Sequence, residues 1–84
     1  MAWNDSTTPY ELSPGERHIR PNTVVVEPNG GTVQIQFRNS AGTWVTPDDT
    51  AYTIAATGPV RLNRSNTPAI RIIATGAARF EVTQ

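Results

Sequence analysis

These 84 residues contain no cysteine and no lysine, and histidine and methionine occur once each. Without cysteine there is no disulfide framework. A structural zinc site is also short of ordinary ligands, because His18 is the lone imidazole. No apolar stretch approaches the ~18 residues of a membrane-spanning helix. The first residues lack a basic stretch followed by an apolar one, so no secretory signal is expected. The chain is expected to remain in the cytosol or to assemble there into something larger. There is no excess of either charge: seven arginines face seven acidic residues. A general polyanion binder carries a basic surplus, so neither nucleic acid nor membrane is an expected partner. The all-arginine basic set fits planar, bidentate contacts at protein interfaces and, more simply, the codon usage of a GC-rich genome.

What is present is strand material. Threonine, valine and isoleucine make up 25 of the 84 residues, against two leucines. Seven prolines and six glycines are spread along the chain as punctuation. The organisation changes near Asn22. Residues 1–22 show no sustained period and hold Pro9, Pro14 and Pro21, with Trp3, Tyr10 and Leu12 scattered among polar residues. Ser13-Pro14-Gly15-Glu16 allows at most one helical turn, or a Pro14-Gly15 turn between extended pieces. The segment reads as an extended N-terminal arm that grips a partner; the competing view is that it folds back and adds an edge strand to its own sandwich.

From Thr23 the period is two. Val24 and Val26 share one face of a first strand, and Pro28-Asn29-Gly30 makes a tight turn. Val33, Ile35 and Phe37 alternate with Gln34, Gln36 and Arg38. After a turn at Asn39–Gly42 come a short strand with Trp44, a turn at Pro47-Asp48-Asp49, and inward Tyr52 and Ile54. Val60 and Leu62 flank an outward Arg61, Ile70 and Ile72 flank Arg71, and Phe80 and Val82 close the chain. The prediction is an all-β fold: a small antiparallel β-sandwich or barrel of about seven short strands over residues 23–84. Its core is expected to hold Val33, Ile35, Phe37, Ile70, Ile72, Phe80 and Val82. Burial gains and ordering costs nearly cancel in so short a chain, so extra stability is expected from a partner or from self-association. Ile73, opposite the Ile70/Ile72 face, is the candidate interface residue.

Catalytic chemistry is not legible. His18, between arginines in the arm, has no nucleophile-elbow pattern to serve and reads as an exposed or interface histidine. Asp48-Asp49 reads as a turn and strand start. Asn29-Gly30-Gly31 joins strands and opens no helix, so it is not a phosphate loop. No catalytic, cofactor or metal residue is assigned. Trp44 and Tyr52 lie in strands, where core packing is the common fate, although aromatics of this kind also build stacking platforms. The arm is the candidate partner-binding element through Trp3, Tyr10, Leu12, Arg17, Ile19 and Arg20, since disordered tails rarely carry such groups.

Ala51-Tyr52-Thr53-Ile54, Gly58-Pro59-Val60-Arg61-Leu62, the run Ala69 to Gly76 and the closing Ala78-Arg79-Phe80-Glu81-Val82 resemble small all-β virion structural proteins of tailed bacteriophages. These are the capsid decoration (cement) and fibre-base proteins, and the likeness covers residues 23–84. The resemblance implies a non-enzymatic homotrimer on the outside of the phage head, assembled in the host cytoplasm. Its partner would be the major capsid protein or another virion protein, gripped through the N-terminal arm. Two other readings remain open: a head fibre base, head–tail joint or tail component, and a carbohydrate- or ligand-binding β-module. Exposed coplanar aromatics beside polar groups would mark the last; an ordered arm and an oligomer interface would mark the first.

Overall fold

The computed structural model describes residues 3–83. Eight strands occur among them: β1 (Tyr10–Leu12), β2 (Asn22–Glu27), β3 (Thr32–Arg38), β4 (Trp44–Val45), β5 (Thr53–Ile54), β6 (Gly58–Leu62), β7 (Ile70–Thr75) and β8 (Arg79–Thr83). All pairings are antiparallel. One sheet runs β1-β7-β3-β4, with β5 pairing the other end of β3; the second runs β6-β2-β8. The two sheets pack as an open sandwich rather than a closed barrel.

Period-two alternation explains the packing. Val24 and Val26 stand opposite Val82 and Phe80, and Val33 and Ile35 stand opposite Ala74 and Ile72. These side chains are buried, together with Leu12, Ile54, Leu62, Ile70 and Ala78. Phe37 corrects the expectation of full burial. It is half-buried at the rim of the core, where it meets Tyr52 edge-on at 5.4 Å between ring centroids. Trp44 departs further from the core-packing expectation. It pairs with Arg38 and lies on the outer face of its sheet, half-buried.

Of the connections between the sheets, two are tight turns that lie side by side. β2 passes to β3 through Asn29 and Gly30, both at positive φ, with the Gly31 amide donating to the Pro28 carbonyl at 2.7 Å. β7 returns to β8 through Gly76, at φ 61°. The crossings touch. A Cβ on Gly31 would lie 2.0 Å from the Thr75 carbonyl oxygen, and the Thr32 and Thr75 hydroxyls are 2.6 Å apart.

The N-terminal segment is the main correction. Asn4 forms an antiparallel bridge with Phe80 on β8, and Tyr10–Leu12 pairs with β7 in the other sheet. The segment therefore closes one side of the sandwich and is no free arm among residues 3–22. The reason is apolar and polar at once: Leu12 enters the core, and the loop after β6 captures the backbone that follows. Gly15 donates to the Thr67 carbonyl at 2.9 Å, and Arg64 donates to the Ser13 carbonyl at 2.9 Å. The turn in this stretch is centred on Arg17-His18, closed by Ile19 donating to the Glu16 carbonyl at 3.3 Å, and not on Pro14-Gly15.

Phe80→Ala should cost about 3–5 kcal/mol and Phe37→Ala clearly less, because only Phe80 is fully enclosed. Gly31→Ala should be destabilising as well, since its Cβ meets backbone that cannot swing aside. Urea denaturation of the three variants checks the order; equal losses at Phe37 and Phe80 would show the rim to be as tightly packed as the centre.

Candidate interaction surfaces

Each outer face of the sandwich carries a tryptophan with an arginine stacked on it. On the five-stranded sheet, Gln36 and Arg71 are outward register partners on β3 and β7. Arg71 directs both Nε and Nη2 at the Gln36 Oε1, the former at 2.9 Å, and its guanidinium lies 5.0 Å from the Trp44 ring centroid. Gln36 in turn donates to the Thr46 hydroxyl at 2.9 Å. Trp44 is thus held by a connected polar group on an exposed sheet face.

On the three-stranded sheet the same arrangement recurs with a carboxylate. Arg79 directs Nε and Nη2 at Glu27 Oε1, at 2.9 and 2.7 Å, and stacks 4.4 Å from the Trp3 ring centroid. The ion pair is exposed and contributes little, on the order of 0–1 kcal/mol. Its effect is positional: the fork fixes the guanidinium plane on which Trp3 rests. The Asn4–Phe80 bridge fixes the backbone beside it, with amide–carbonyl distances of 2.7 and 2.8 Å. Trp3 still keeps 36% of its surface in water.

A tight turn secures the other end of this stretch. Asp5 Oδ1 accepts from the Thr7 amide at 2.8 Å and the Thr7 hydroxyl at 2.6 Å, while the Asp5 amide donates to the Thr8 hydroxyl at 2.7 Å. The Thr7 hydroxyl, followed by the Thr7 amide, holds the Asp5 carboxyl below the usual carboxylate range.

The side of the sandwich opposite the N-terminal segment is open. Between β6 and the β5 region lie two shallow apolar recesses of about 360 and 530 Å³. Phe37, Tyr52, Leu62 and Val60 line the first, and Ile54, Ala55, Ala56 and Val60 the second.

The sequence-predicted partner residues divide. Leu12 is buried and Tyr10 packs on the core, so both serve the chain's own fold; this corrects their assignment to a partner. Trp3, Arg17 and Arg20 are exposed, and Ile19 is half-buried. Ile73 is half-buried on the outer face of its sheet, opposite Gln34. His18 is exposed on its turn, and Asp49 accepts from the Ala51 amide at 2.9 Å, capping the 3₁₀ turn Thr50–Tyr52. No group of three histidine, cysteine or acidic residues gathers among the described residues. The Trp44–Arg71–Gln36 group went unread: period two places Arg71 and Gln36 outward, but the cross-strand register that joins them is not local information. Comparison with family models, with curated proteins and with solved structures finds no match to this chain.

Arg79→Lys should keep the charge yet release Trp3, because an ammonium lacks the fork and the flat face. Fluorescence should then show Trp3 more accessible to acrylamide, with a stability change within about 1 kcal/mol. Unchanged quenching would mean that the backbone bridge alone holds the ring. Acid should loosen the Asp5 turn. A depressed folded-state pKa contributes above the ordinary carboxylate range and is lost as pH falls through the lowered value. An NMR titration should find the Asp5 midpoint below that of an unstructured aspartate, with the Thr7 amide shifting in parallel; a midpoint at or above the ordinary value would remove the turn's electrostatic role.

Proposed function

We propose that this chain is a non-enzymatic virion structural protein, a capsid decoration (cement) protein that binds the outside of a tailed-phage head as a homotrimer. The observation that carries the reading is Trp3, an exposed tryptophan on a segment already pinned to the sandwich. Tryptophan and arginine dominate the energetics of protein interfaces, and here they are stacked before any partner arrives. Binding therefore orders little additional chain, which lowers its entropic cost. The likeness of residues 23–84 to phage decoration and fibre-base proteins supplies the partner class: the major capsid protein or another virion protein. Its action is mechanical. Contacts across neighbouring capsid subunits add binding energy that opposes expansion of the shell. A head fibre base, head–tail joint or tail component would use the same surface at another place on the virion.

A second reading, a carbohydrate-binding β-module, is favoured by one specific observation. Trp44 is flanked by Arg71, Gln36 and Thr46 on an outer sheet face, a ring beside fixed polar groups.

The two readings use different tryptophans. Trp3→Ala should leave the melt nearly unchanged and weaken binding to expanded phage heads by about 2 kcal/mol or more. Trp44→Ala should leave head binding intact. Leu12→Ala should instead lower stability by about 2–5 kcal/mol, because Leu12 belongs to the core. Full-affinity head binding by the Trp3 variant would overturn the proposal, and glycan binding lost only in the Trp44 variant would establish the second reading. Light scattering that finds a 9.1 kDa monomer at every concentration would remove the trimer.

A further inference from the structure

Arg64 is a buried cation, 8% exposed, with neutral partners. Its Nη1 donates to Asn22 Oδ1 at 3.2 Å and its Nη2 to the Ser13 carbonyl at 2.9 Å, while its buried Nε has no acceptor. Among the described residues the sole ion pair is the distant Arg79–Glu27. A buried charge ordinarily has a counter-charge, because desolvation costs several kcal/mol per ion. Arg64 also lines an open recess of about 460 Å³, together with Arg20, Asn22 and Ile19. Arg20 is exposed and Arg64 buried. Asn22 has both ends of its amide in use, accepting from Arg64 and donating to the Thr83 carbonyl at 2.9 Å, so it orients Arg64.

We propose that this recess is a carboxylate-binding site. Two guanidinium groups supply the charge and the planar forks that match a carboxylate. Ile19 supplies an apolar wall for the methylene stem of an aliphatic acid. Such a carboxylate comes either from a glutamate side chain of a partner protein or from a free aliphatic acid. The site stands independently of the virion reading, because it is built from this chain's own unpaired charge.

Arginine Nε–H resonances report the site directly. The folded protein is titrated with sodium butyrate, with a blocked peptide holding one glutamate, with inorganic phosphate, and with sodium chloride at matched ionic strength. The expected result is a saturable shift of the Arg64 Nε–H resonance with a carboxylate. In Arg20→Gln, whose fold is checked by its amide spectrum, the affinity should fall roughly tenfold, about 1.4 kcal/mol, through loss of one charge-assisted contact. Response to the peptide alone identifies a partner side chain as the source; response to butyrate as well identifies a site open to free acids. No saturable shift with either carboxylate, a shift with phosphate alone, an equal shift with chloride, or unchanged affinity in Arg20→Gln would overturn the assignment.

Discussion

The fold depends on one close contact, the crossing of Gly31 over the Thr75 carbonyl. β2 leads into β3 and β7 into β8, and the two pairs change sheets at the same place. A single antiparallel ribbon is thereby folded over on itself. Its register is set on both sides at once, with Glu27 opposite Arg79 before the crossing and Thr32 opposite Thr75 after it. A one-residue slip of β7 and β8 along their partners would turn Ile70 and Ile72 out to solvent in one sheet and Phe80 and Val82 out in the other. Glycine is required because any Cβ at residue 31 would meet backbone, which cannot relax as a side chain does. The remaining strands are added to this ribbon: β6 to β2, β1 to β7, and β4 and β5 to β3.

Arg64 is the second lock, and it serves the segment that the ribbon leaves loose. Residues 13–16 have no strand to join. They are held instead by the Arg64 guanidinium and by backbone bonds to the loop at residues 64–67. Gly15 makes this approach possible, since a Cβ there would collide with the Arg64 carbonyl. The price is a charge carried into a buried corner with neutral acceptors only.

This division explains what could be read from the sequence. From Thr23 onward the longer strands announced themselves through alternation and flanking turn residues, because those signals are local. β1 did not. Tyr10-Glu11-Leu12 is three residues long, between Pro9 and Pro14, and its pairing partner lies sixty residues away. Nothing local distinguishes such a piece from an arm. Arg64 was hidden for the same reason: Asn63 to Pro68 is polar and reads as a solvated loop until Ser13 and Gly15 close over it. Phe37 and Trp44 show a further limit. Alternation says which face a residue takes, but distance from the end of the sandwich decides how deeply Phe37 is buried. A two-residue strand such as Trp44–Val45 has too little pattern to assign even the face.

The missing lysines gain a physical meaning from these positions. Arg71 and Arg79 each aim Nε and Nη2 at a single oxygen while offering a flat face to a tryptophan. An ammonium makes a hydrogen bond to the same oxygen but has no plane to stack and no second donor in a fixed direction. Arg64 uses the other property of the guanidinium, several donors spread around one buried centre. A plentiful supply of arginine does not by itself account for two copies of one stacked geometry on opposite faces. Those two units differ in one respect that bears on function. Trp44 is joined through Gln36 to Thr46 within its own sheet, whereas Trp3 stands on a segment reached from outside and leaves over a third of its surface in water. A ring so placed has its orientation fixed and its hydration still to lose, which is the state in which contact with a partner releases the most for the least further ordering.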